Sequence, residues 1–238
     1  MTVETSLAAA RKRLIVALDV PDAATAHRAA QTLNGHVGML KIGLQLFVAE
    51  GPAVVRSLRQ AFPELDIFLD LKLHDIPNTM RGAIRSAREL DVRLLTVHAG
   101  SGIDHLRACV EEAGEGMGIL AVTVLTSQDA DACQQAGHTR TAAELVAMRT
   151  SCAHEAGCAG VVCSGAELGR VHEVAPNLLH VVPGIRPAGS ATDDQRRVMT
   201  PAQAMNAHAT HLVVGRPIMR APDPAAAADA IVAQMAGA

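Results

Sequence analysis

The chain contains 238 residues, of which 49% are hydrophobic and 19% are charged, and its formal net charge is -3 at pH 7. This length and apolar content fit one globular domain with a large core. The slightly negative charge, the lack of Trp and Tyr, and the presence of only three Phe exclude the basic, aromatic-rich surface that binds nucleic acid polymers. We therefore expect no nucleic acid partner.

The sequence also indicates the cellular compartment of the protein. It contains five cysteines, which form no C-x-x-C pair, and their odd number argues against a disulfide framework. No apolar run approaches the roughly 18 residues that a membrane span needs. We therefore expect a cytoplasmic protein with free thiols and no membrane association.

Short apolar runs alternate along the chain with longer stretches of helical periodicity. The predicted strands are Leu14 to Asp19, Gly38 to Gly43, Asp66 to Lys72, Arg93 to His98, Gly118 to Leu125, Gly160 to Cys163, His180 to Pro183 and His211 to Gly215. Predicted helices include Ala23 to Leu33, Thr79 to Glu89, Ile103 to Glu112, Thr141 to Ala156 and Pro224 to Met235. This order predicts parallel strands joined by crossover helices.

Eight such units in a chain close to the roughly 250 residues typical of the fold predict an α/β protein with a closed (β/α)8 TIM barrel. Residues 1–238 are expected to form this barrel as a single domain. The stretch from Gly184 to Thr200 is long, polar and rich in Gly, Pro, Asp and Arg. Such a composition is typical of a mobile active-site loop.

The third predicted strand runs into D-L-K-L-H-D-I-P-N-T at residues 70–79. Because side chains two apart in a strand share a face, Asp70 and Lys72 are expected to point the same way. Buried ions cost several kcal/mol each unless they are paired. The two residues therefore form either a structural salt bridge or a polar site that uses both charges.

Other polar residues end the neighbouring strands, at the barrel face where sites of this fold lie. They are Asp19, Lys41, His98, Thr126 and Ser127. Taken singly, Asp19 could cap the next helix and Lys41 could extend to solvent. Their convergence at one end of the barrel favours a functional site.

The loops after strands seven and eight predict a phosphate site, which is their frequent use in this fold. They read P-G-I-R at 183–186 and V-G-R-P-I at 214–218. Gly215 permits close backbone approach, Arg216 can pair with phosphate oxygens, and Gln195 could add a donor from the long loop. The alternative is a turn with a solvated Arg216. We favour a phosphorylated small molecule as ligand.

These segments resemble, in the same order and over nearly the whole chain, the orotidine 5′-phosphate decarboxylase family in its bacterial form. The resemblance rests on A-L-D at 17–19, K-I-G at 41–43, D-L-K-L-H-D-I-P-N-T at 70–79, V-T-V-L-T-S at 122–127, P-G-I-R-P at 183–187 and V-V-G-R-P-I at 213–218. It implies conversion of orotidine 5′-monophosphate to UMP and CO₂, in pyrimidine biosynthesis, without cofactor or metal. His98-Ala-Gly-Ser-Gly102 departs from the family pattern, so no catalytic role is assigned to His98.

The resemblance also implies the roles of individual residues. Lys41, Asp70 and Lys72 would form a charged chain beside C6 of the pyrimidine, with Asp75 contributed by the second subunit of a homodimer. Lys72 would stabilise and then protonate the C6 carbanion. The implied substrate-binding residues are Asp19 and Lys41 at the ribose, Ile76 and Thr79 across the interface, Thr126 and Ser127 near the base, Pro183 lining the pocket, and Arg186, Gln195, Gly215 and Arg216 at the 5′-phosphate. Asp75 could also cap the helix near Pro77.

Two alternatives remain at this point. Metal-dependent sugar-phosphate lyases and aldolases of the same barrel, such as hexulose-phosphate synthase and keto-gulonate-phosphate decarboxylase, share D-x-K-x-x-D but carry an acidic residue in the second strand. Lys41 opposes a divalent cation there. A non-catalytic nucleotide-binding barrel would keep Arg216 and Gln195 but would not need Lys72.

Overall fold

The computed structural model describes residues 3–187 and 199–238. Eight parallel strands in these residues form a closed barrel in sequence order, in which β8 pairs with β1. They are β1 (Leu14–Ala17), β2 (Met39–Gly43), β3 (Asp66–Leu73), β4 (Leu94–His98), β5 (Gly118–Val122), β6 (Gly160–Val162), β7 (Leu179–Val182) and β8 (His211–Val214). The predicted single-domain (β/α)8 barrel is confirmed.

Helices separate the strands, and the described residues contain twelve α-helices and two short 3₁₀ turns. The helices are α1 (Val3–Lys12), α2 (Ala23–Leu33), α3 (Leu44–Glu50), α4 (Pro52–Ala61), α5 (Pro77–Arg88), α6 (Ile103–Ala113), α7 (Ala130–Gln135), α8 (Ala142–Glu155), α9 (Leu168–Val174), α10 (Pro201–Asn206), α11 (Arg216–Met219) and α12 (Pro224–Ala236), and the 3₁₀ turns are Ala99–Ser101 and Gly165–Glu167. No helix in this part of the chain is long and apolar enough to cross a membrane. All five cysteines are free.

Two strands end earlier than predicted. β1 ends at Ala17 instead of Asp19, and β5 ends at Val122 instead of Leu125. Beyond these ends, Asp19 after β1 and Val124 and Leu125 after β5 line a cavity at the edge of the sheet. The other strands differ from the prediction by one residue at one end or, in β7, by one residue at both ends. Helix α5 begins at Pro77 rather than Thr79, because proline fits the first helical turn.

The core has two apolar layers, as alternation of side chains in a barrel requires. The larger layer lies between the strands and the helices and includes Leu14, Val16, Leu40 and Ile67. The smaller layer fills the barrel interior and comprises Ile15, Ala17, Met39, Phe68, Leu94, Leu120, Val181 and Val213. The inner layer closes the barrel beneath the polar strand ends.

The start of β6 is a point of close packing in the barrel. A Cβ atom at Gly160 would meet the carbonyl oxygen of Leu179 and would lie 2.5 Å from the Leu179 Cβ. Both of these atoms belong to the paired strand β7, which cannot shift without breaking the barrel register. Only glycine therefore fits at this position.

We predict that Gly160→Ala lowers the free energy of unfolding by about 1–3 kcal/mol, as is typical of overpacking. The control is Gly169→Ala in α9, where a Cβ meets nothing within 4 Å. Because alanine favours helix, this control should be neutral or slightly stabilising. Urea denaturation measures both variants, and equal unfolding midpoints would contradict the prediction.

Candidate active site

A cavity of about 280 Å³ opens at the carboxyl ends of the strands, and we call it the strand-end cavity. It is lined by Asp19, Lys41, Phe68, Asp70, Lys72, Val122, Val124, Leu125, Thr126, Val162, Pro183 and Val213. The charged residues come from β1 to β3 and their ends, whereas β5, β6 and the residues after β5 supply mainly apolar side chains. The cavity can therefore hold a small, partly apolar ligand against a row of charges.

The charges form one alternating chain. Lys72 Nζ lies 2.8 Å from both carboxylate oxygens of Asp70. Lys41 Nζ lies 3.4 Å from Asp70 Oδ2 and 3.4 Å from Asp19 Oδ1. The order is therefore Asp19, Lys41, Asp70, Lys72, and the Asp70 carboxylate connects the two ammonium groups.

The surroundings of Asp70 favour its ionised form. Burial raises the pKa of this carboxyl group, but the charges of Lys41 and Lys72 and the hydrogen bonds from Lys72 and Thr96 together outweigh burial. The pKa of Asp70 therefore lies below the ordinary value of an aspartate. Asp70 is a carboxylate at neutral pH although only 8% of the residue is exposed.

Strand β3 carries an irregularity at the site. Leu69 pairs with Leu95 and Leu73 pairs with Val97, so three residues of β3 face the single residue Thr96 of β4. Lys72, within this bulge, has φ 49°, in the left-handed region that non-glycine residues rarely adopt. Asp70 and Lys72 reach the same cavity, as predicted from alternation along the strand, because Leu71 and Leu73 still pack against the larger apolar layer on the opposite face.

Thr96 is a site residue that the sequence did not reveal. Its hydroxyl donates to Asp70 Oδ1 at 2.9 Å and accepts the backbone N–H of Lys72 at 2.9 Å. The residue is fully buried. Its one signal in the sequence is a hydroxyl in an apolar strand, which is also an ordinary feature of strands. Thr96 fixes both the bulge and the carboxylate.

Lys41 and Asp19 line the strand-end cavity, and neither takes the alternative role considered for it. The Lys41 side chain is only 10% exposed, so it does not extend to solvent. Helix α2 is capped by Asp22, which accepts the N–H of Thr25, and not by Asp19. A Cβ at Gly43 would lie 2.8 Å from Lys41 Nζ. The glycine therefore leaves room for the ammonium group.

The structure brings Thr126 and Pro183 to the strand-end cavity, whereas Ser127 is exposed in the adjacent turn. Gly215 caps α11, and its Cβ position would lie 3.5 Å from the Ala17 Cβ. Gly215 is therefore at the margin of the cavity.

Two of the predicted phosphate ligands, Arg186 and Arg216, follow the neighbouring strands β7 and β8. Arg186 is buried, and its backbone N–H donates to Met199 O at 2.9 Å, which joins the two ends of the 184–200 segment. Arg216 is the half-buried first residue of α11. Gln195 lies outside the described residues.

Asp75, Ile76 and Thr79 are exposed, and the structure does not bring them to the strand-end cavity of their own chain. Asp75 and Ile76 instead line a second cavity of about 580 Å³ with His74, Pro77, Ser101, Asp104 and His105. The N-cap of α5 is Ile76, whose N–H donates to Asp75 Oδ1 at 2.6 Å. The interpretation of Asp75 as the helix cap is therefore wrong.

His98 lies at the end of β4, half-buried, with its ring 5.5 Å from the ring of His74. Burial lowers the pKa of His98, and the charges of His74, Lys72 and Arg149 lower it further, against a smaller opposite effect of Asp70. His98 is therefore neutral at pH 7. Within residues 3–187 and 199–238, no group of three or more His, Cys, Asp or Glu is placed to hold a metal ion.

Comparison with known proteins agrees with this geometry. Residues 12–231 match the family model described as "Orotidine 5'-phosphate decarboxylase / HUMPS family". The chain belongs to this family.

Among its relatives in the orotidine 5′-phosphate decarboxylase / HUMPS family, the orotidine 5′-phosphate decarboxylase of Anaeromyxobacter dehalogenans is 51% identical over 224 residues, covering 93% of this chain and 97% of that protein. The same enzyme of Thermobifida fusca is 50% identical, covering 93% and 95%. The crystal structure of the orotidine 5′-phosphate decarboxylase of Lactobacillus acidophilus superposes with TM-score 0.83 at 34% identity, covering 93% and 98%. The family resemblance found in the sequence is confirmed.

The low pKa of Asp70 predicts a pH-dependent contribution to stability. Its charge interactions act fully above about pH 4, the ordinary aspartate pKa, and are lost as the pH falls through the lower pKa of the folded state. We expect wild type to exceed Asp70→Asn in free energy of unfolding by about 2 kcal/mol at pH 6, and this advantage to shrink towards pH 3. Urea denaturation at several pH values measures the difference.

Asp131→Asn, at an exposed carboxylate of α7, is the matched control and should show no comparable change. An advantage of wild type over Asp70→Asn that stays constant from pH 6 to pH 3 would contradict the assignment.

Proposed function

We propose that this protein is an orotidine 5′-phosphate decarboxylase, which converts orotidine 5′-monophosphate to UMP and CO₂ in de novo pyrimidine biosynthesis. The observation that carries the proposal is the Lys72 ammonium group, held at 2.8 Å by Asp70 inside the strand-end cavity. The names of the relatives at about half identity support the same substrate.

The chemistry requires a cation at one carbon. When the bond between C6 and the carboxylate breaks, the electron pair remains on C6 in the plane of the ring, where the π system cannot delocalise it. Lys72 stabilises this developing charge electrostatically and then transfers a proton from Nζ to C6, which leaves a neutral amine. CO₂ departs, and solvent restores the ammonium group. The proposal needs no cofactor and no metal.

Asp70 has a positioning role in this mechanism. Its carboxylate accepts from Lys72 Nζ through both oxygens and therefore orients the ammonium group before substrate arrives. The substrate carboxylate would lie beside it, and the repulsion between the two anions would raise the energy of the bound ground state. Orientation of Lys72 is the effect that the geometry supports most directly.

The remaining parts of the nucleotide are assigned by position around the cavity. Asp19 and Lys41 bind the ribose hydroxyls, Thr126 and Ser127 lie near the base, and Pro183 lines the pocket. Arg186, Gly215 and Arg216, with Gln195 from the 184–200 loop, bind the 5′-phosphate. Phosphate binding far from C6 would close that loop and offset the cost of orienting the base.

We also propose a homodimer with shared sites, in a reducing compartment such as the cytoplasm. Ile76 is 66% exposed, and Leu44 and Val48 on α3 are 53% and 80% exposed. These apolar side chains follow the neighbouring strands β3 and β2 at the same end of the barrel, where a second copy would cover them. In this arrangement Asp75, Ile76 and Thr79 complete the cavity of the partner. The free cysteines favour a reducing compartment.

Lys41 distinguishes this proposal from a metal-dependent sugar-phosphate lyase. Its ammonium group lies 3.4 Å from both Asp19 and Asp70, the carboxylates that a divalent cation would need. A Mg²⁺ ion bound to these carboxylates would lie beside the Lys41 ammonium group, and the two positive charges would repel each other. A turnover assay distinguishes the proposed enzyme from a non-catalytic nucleotide-binding protein.

We predict that the protein releases CO₂ from orotidine 5′-monophosphate in excess chelator. Lys72→Ala should lower kcat by at least about 10⁴, because both the electrostatic and the proton-transfer contributions are lost. The affinity for UMP should change only a few-fold. Labelled CO₂ release and calorimetry measure the two effects, and Lys12→Ala, at an exposed lysine of α1, is the control.

No CO₂ release by wild type would refute the function. Release that stops with chelator would favour the metal-dependent alternative. Wild-type kcat in Lys72→Ala would remove Lys72 as proton donor.

The shared site gives a complementation prediction. Lys72→Ala and Asp75→Asn are each expected to be inactive alone. In an equal mixture after subunit exchange, half of the dimers are mixed and each has one intact site, so about one quarter of wild-type activity should return. Exchange that is demonstrated with differently tagged subunits but yields no activity would count against shared sites.

A further inference from the structure

Arg149 on α8 is a half-buried cation that the mechanism above does not use. The residue is half-buried, and burial lowers the pKa of its guanidinium group. No carboxylate among the described residues forms an ion pair with it. Its Nη1 instead donates to the backbone carbonyl of Thr123 at 2.5 Å, and Nη2 lies 3.3 Å from His138 Nε2. Keeping a charge here is costly unless that carbonyl bond offsets it.

The partner of Arg149 lies where β5 ends. Thr123 N and Thr123 Oγ1 both donate to Val162 O, at 3.2 and 2.8 Å, so one side of Thr123 is held by β6. Its carbonyl faces the other way and is held by Arg149. Thr123 is therefore fixed between a strand and a helix at the point where the chain leaves the sheet.

The next three residues form a wall of the strand-end cavity. Val124, Leu125 and Thr126 line it, in the same cavity as Asp70 and Lys72. Leu125 O accepts the N–H of Gln128 in the turn that follows. The hydrogen-bonded residue Thr123 directly precedes this wall. Its position therefore sets the distance between the wall and the charged residues.

Arg149 also lies close to the turn that follows the neighbouring strand β4. A Cβ at Gly100, in the 3₁₀ turn after β4, would lie 3.6 Å from Arg149 Nη2. The guanidinium group thus lies between the segments that follow β4 and β5.

We propose that Arg149 is a positioning residue for the base-binding wall of the strand-end cavity, acting through the carbonyl of Thr123. Arg149 does not touch the ligand itself. That the ligand is a pyrimidine nucleotide rests on the proposed function. The consequence is that the affinity for UMP and the rigidity of residues 124–128 both depend on a side chain outside the cavity.

The test compares Arg149→Met, which keeps length but removes the donors, with Arg170→Met on α9, where the arginine pairs only with Glu173 of its own helix. For Arg149→Met we expect amide exchange at residues 124–128 to rise, and the Kd for UMP to rise, each by about tenfold, the effect of losing a hydrogen bond from a charged donor. The KM should rise in parallel with little change in kcat. Arg149→Lys, which retains one donor, should recover part of the loss.

Coupling to the wall is measured with Thr126→Val. If Arg149 acts through this segment, the effects of Arg149→Met and Thr126→Val on UMP binding are not additive in the double variant.

Three outcomes would overturn the proposal. The first is that Arg149→Met equals Arg170→Met in amide exchange and in UMP affinity. The second is that amide exchange in Arg149→Met is faster evenly over the whole chain. The third is that the effects of Arg149→Met and Thr126→Val on UMP binding are additive. Failure of wild type to release CO₂ would refute the proposed function instead, and the exchange at residues 124–128 would still decide the role of Arg149.

Discussion

The site depends on one buried carboxylate. Asp70 lies between two ammonium groups and a threonine hydroxyl, and each of these neighbours compensates for its burial. The compensation is mutual, because Lys41 and Lys72 can occupy the end of an apolar barrel only while a negative charge is held between them. Such a network is stable as a set and costly when one member is missing. The rest of the site is arranged around it.

The barrel supplies the rigidity that this network needs. Closed parallel pairing fixes β2, β3 and β4 beside one another, so Lys41, Asp70 and Thr96 come from three strands that cannot move independently. The departure from regular pairing lies in β3, where three residues face Thr96. Preorganised charges of this kind avoid the cost of reorientation during a reaction. The regular strands thus hold an irregular segment in place.

Much of the fold could be predicted because period and spacing are local properties of a sequence. The alternation of apolar runs and helical stretches predicted the barrel, and the bounds of α2 agree with the structure. Asp19, Lys41, Asp70, Lys72, Thr126 and Pro183 were predicted and line the cavity. Strand-end positions sufficed for the first five, because strands of a parallel barrel end at one face, whereas Pro183 was predicted from the family resemblance.

Other features were hidden for physical reasons. The bulge at Asp70 to Lys72 depends on pairing with β4, which no local pattern encodes. Thr96 looks like an ordinary strand residue until its hydroxyl is seen between the Asp70 carboxylate and the backbone N–H of Lys72. Arg149 is distant in sequence from the wall it anchors. Asp75 and Ile76 are exposed and lie outside the strand-end cavity, and the site proposed for them depends on a second molecule.

The left-handed backbone of Lys72 has a consequence for how its loss is interpreted. Strain at a φ of 49° is of the order of 1–3 kcal/mol and is retained because Thr96 holds the N–H of Lys72. A glycine here would relax the chain while removing the cation, whereas a β-branched residue would add strain. Variants that all lack the ammonium group can therefore differ widely in thermal stability. Comparing them would separate the effect of backbone strain from the effect of the lost charge.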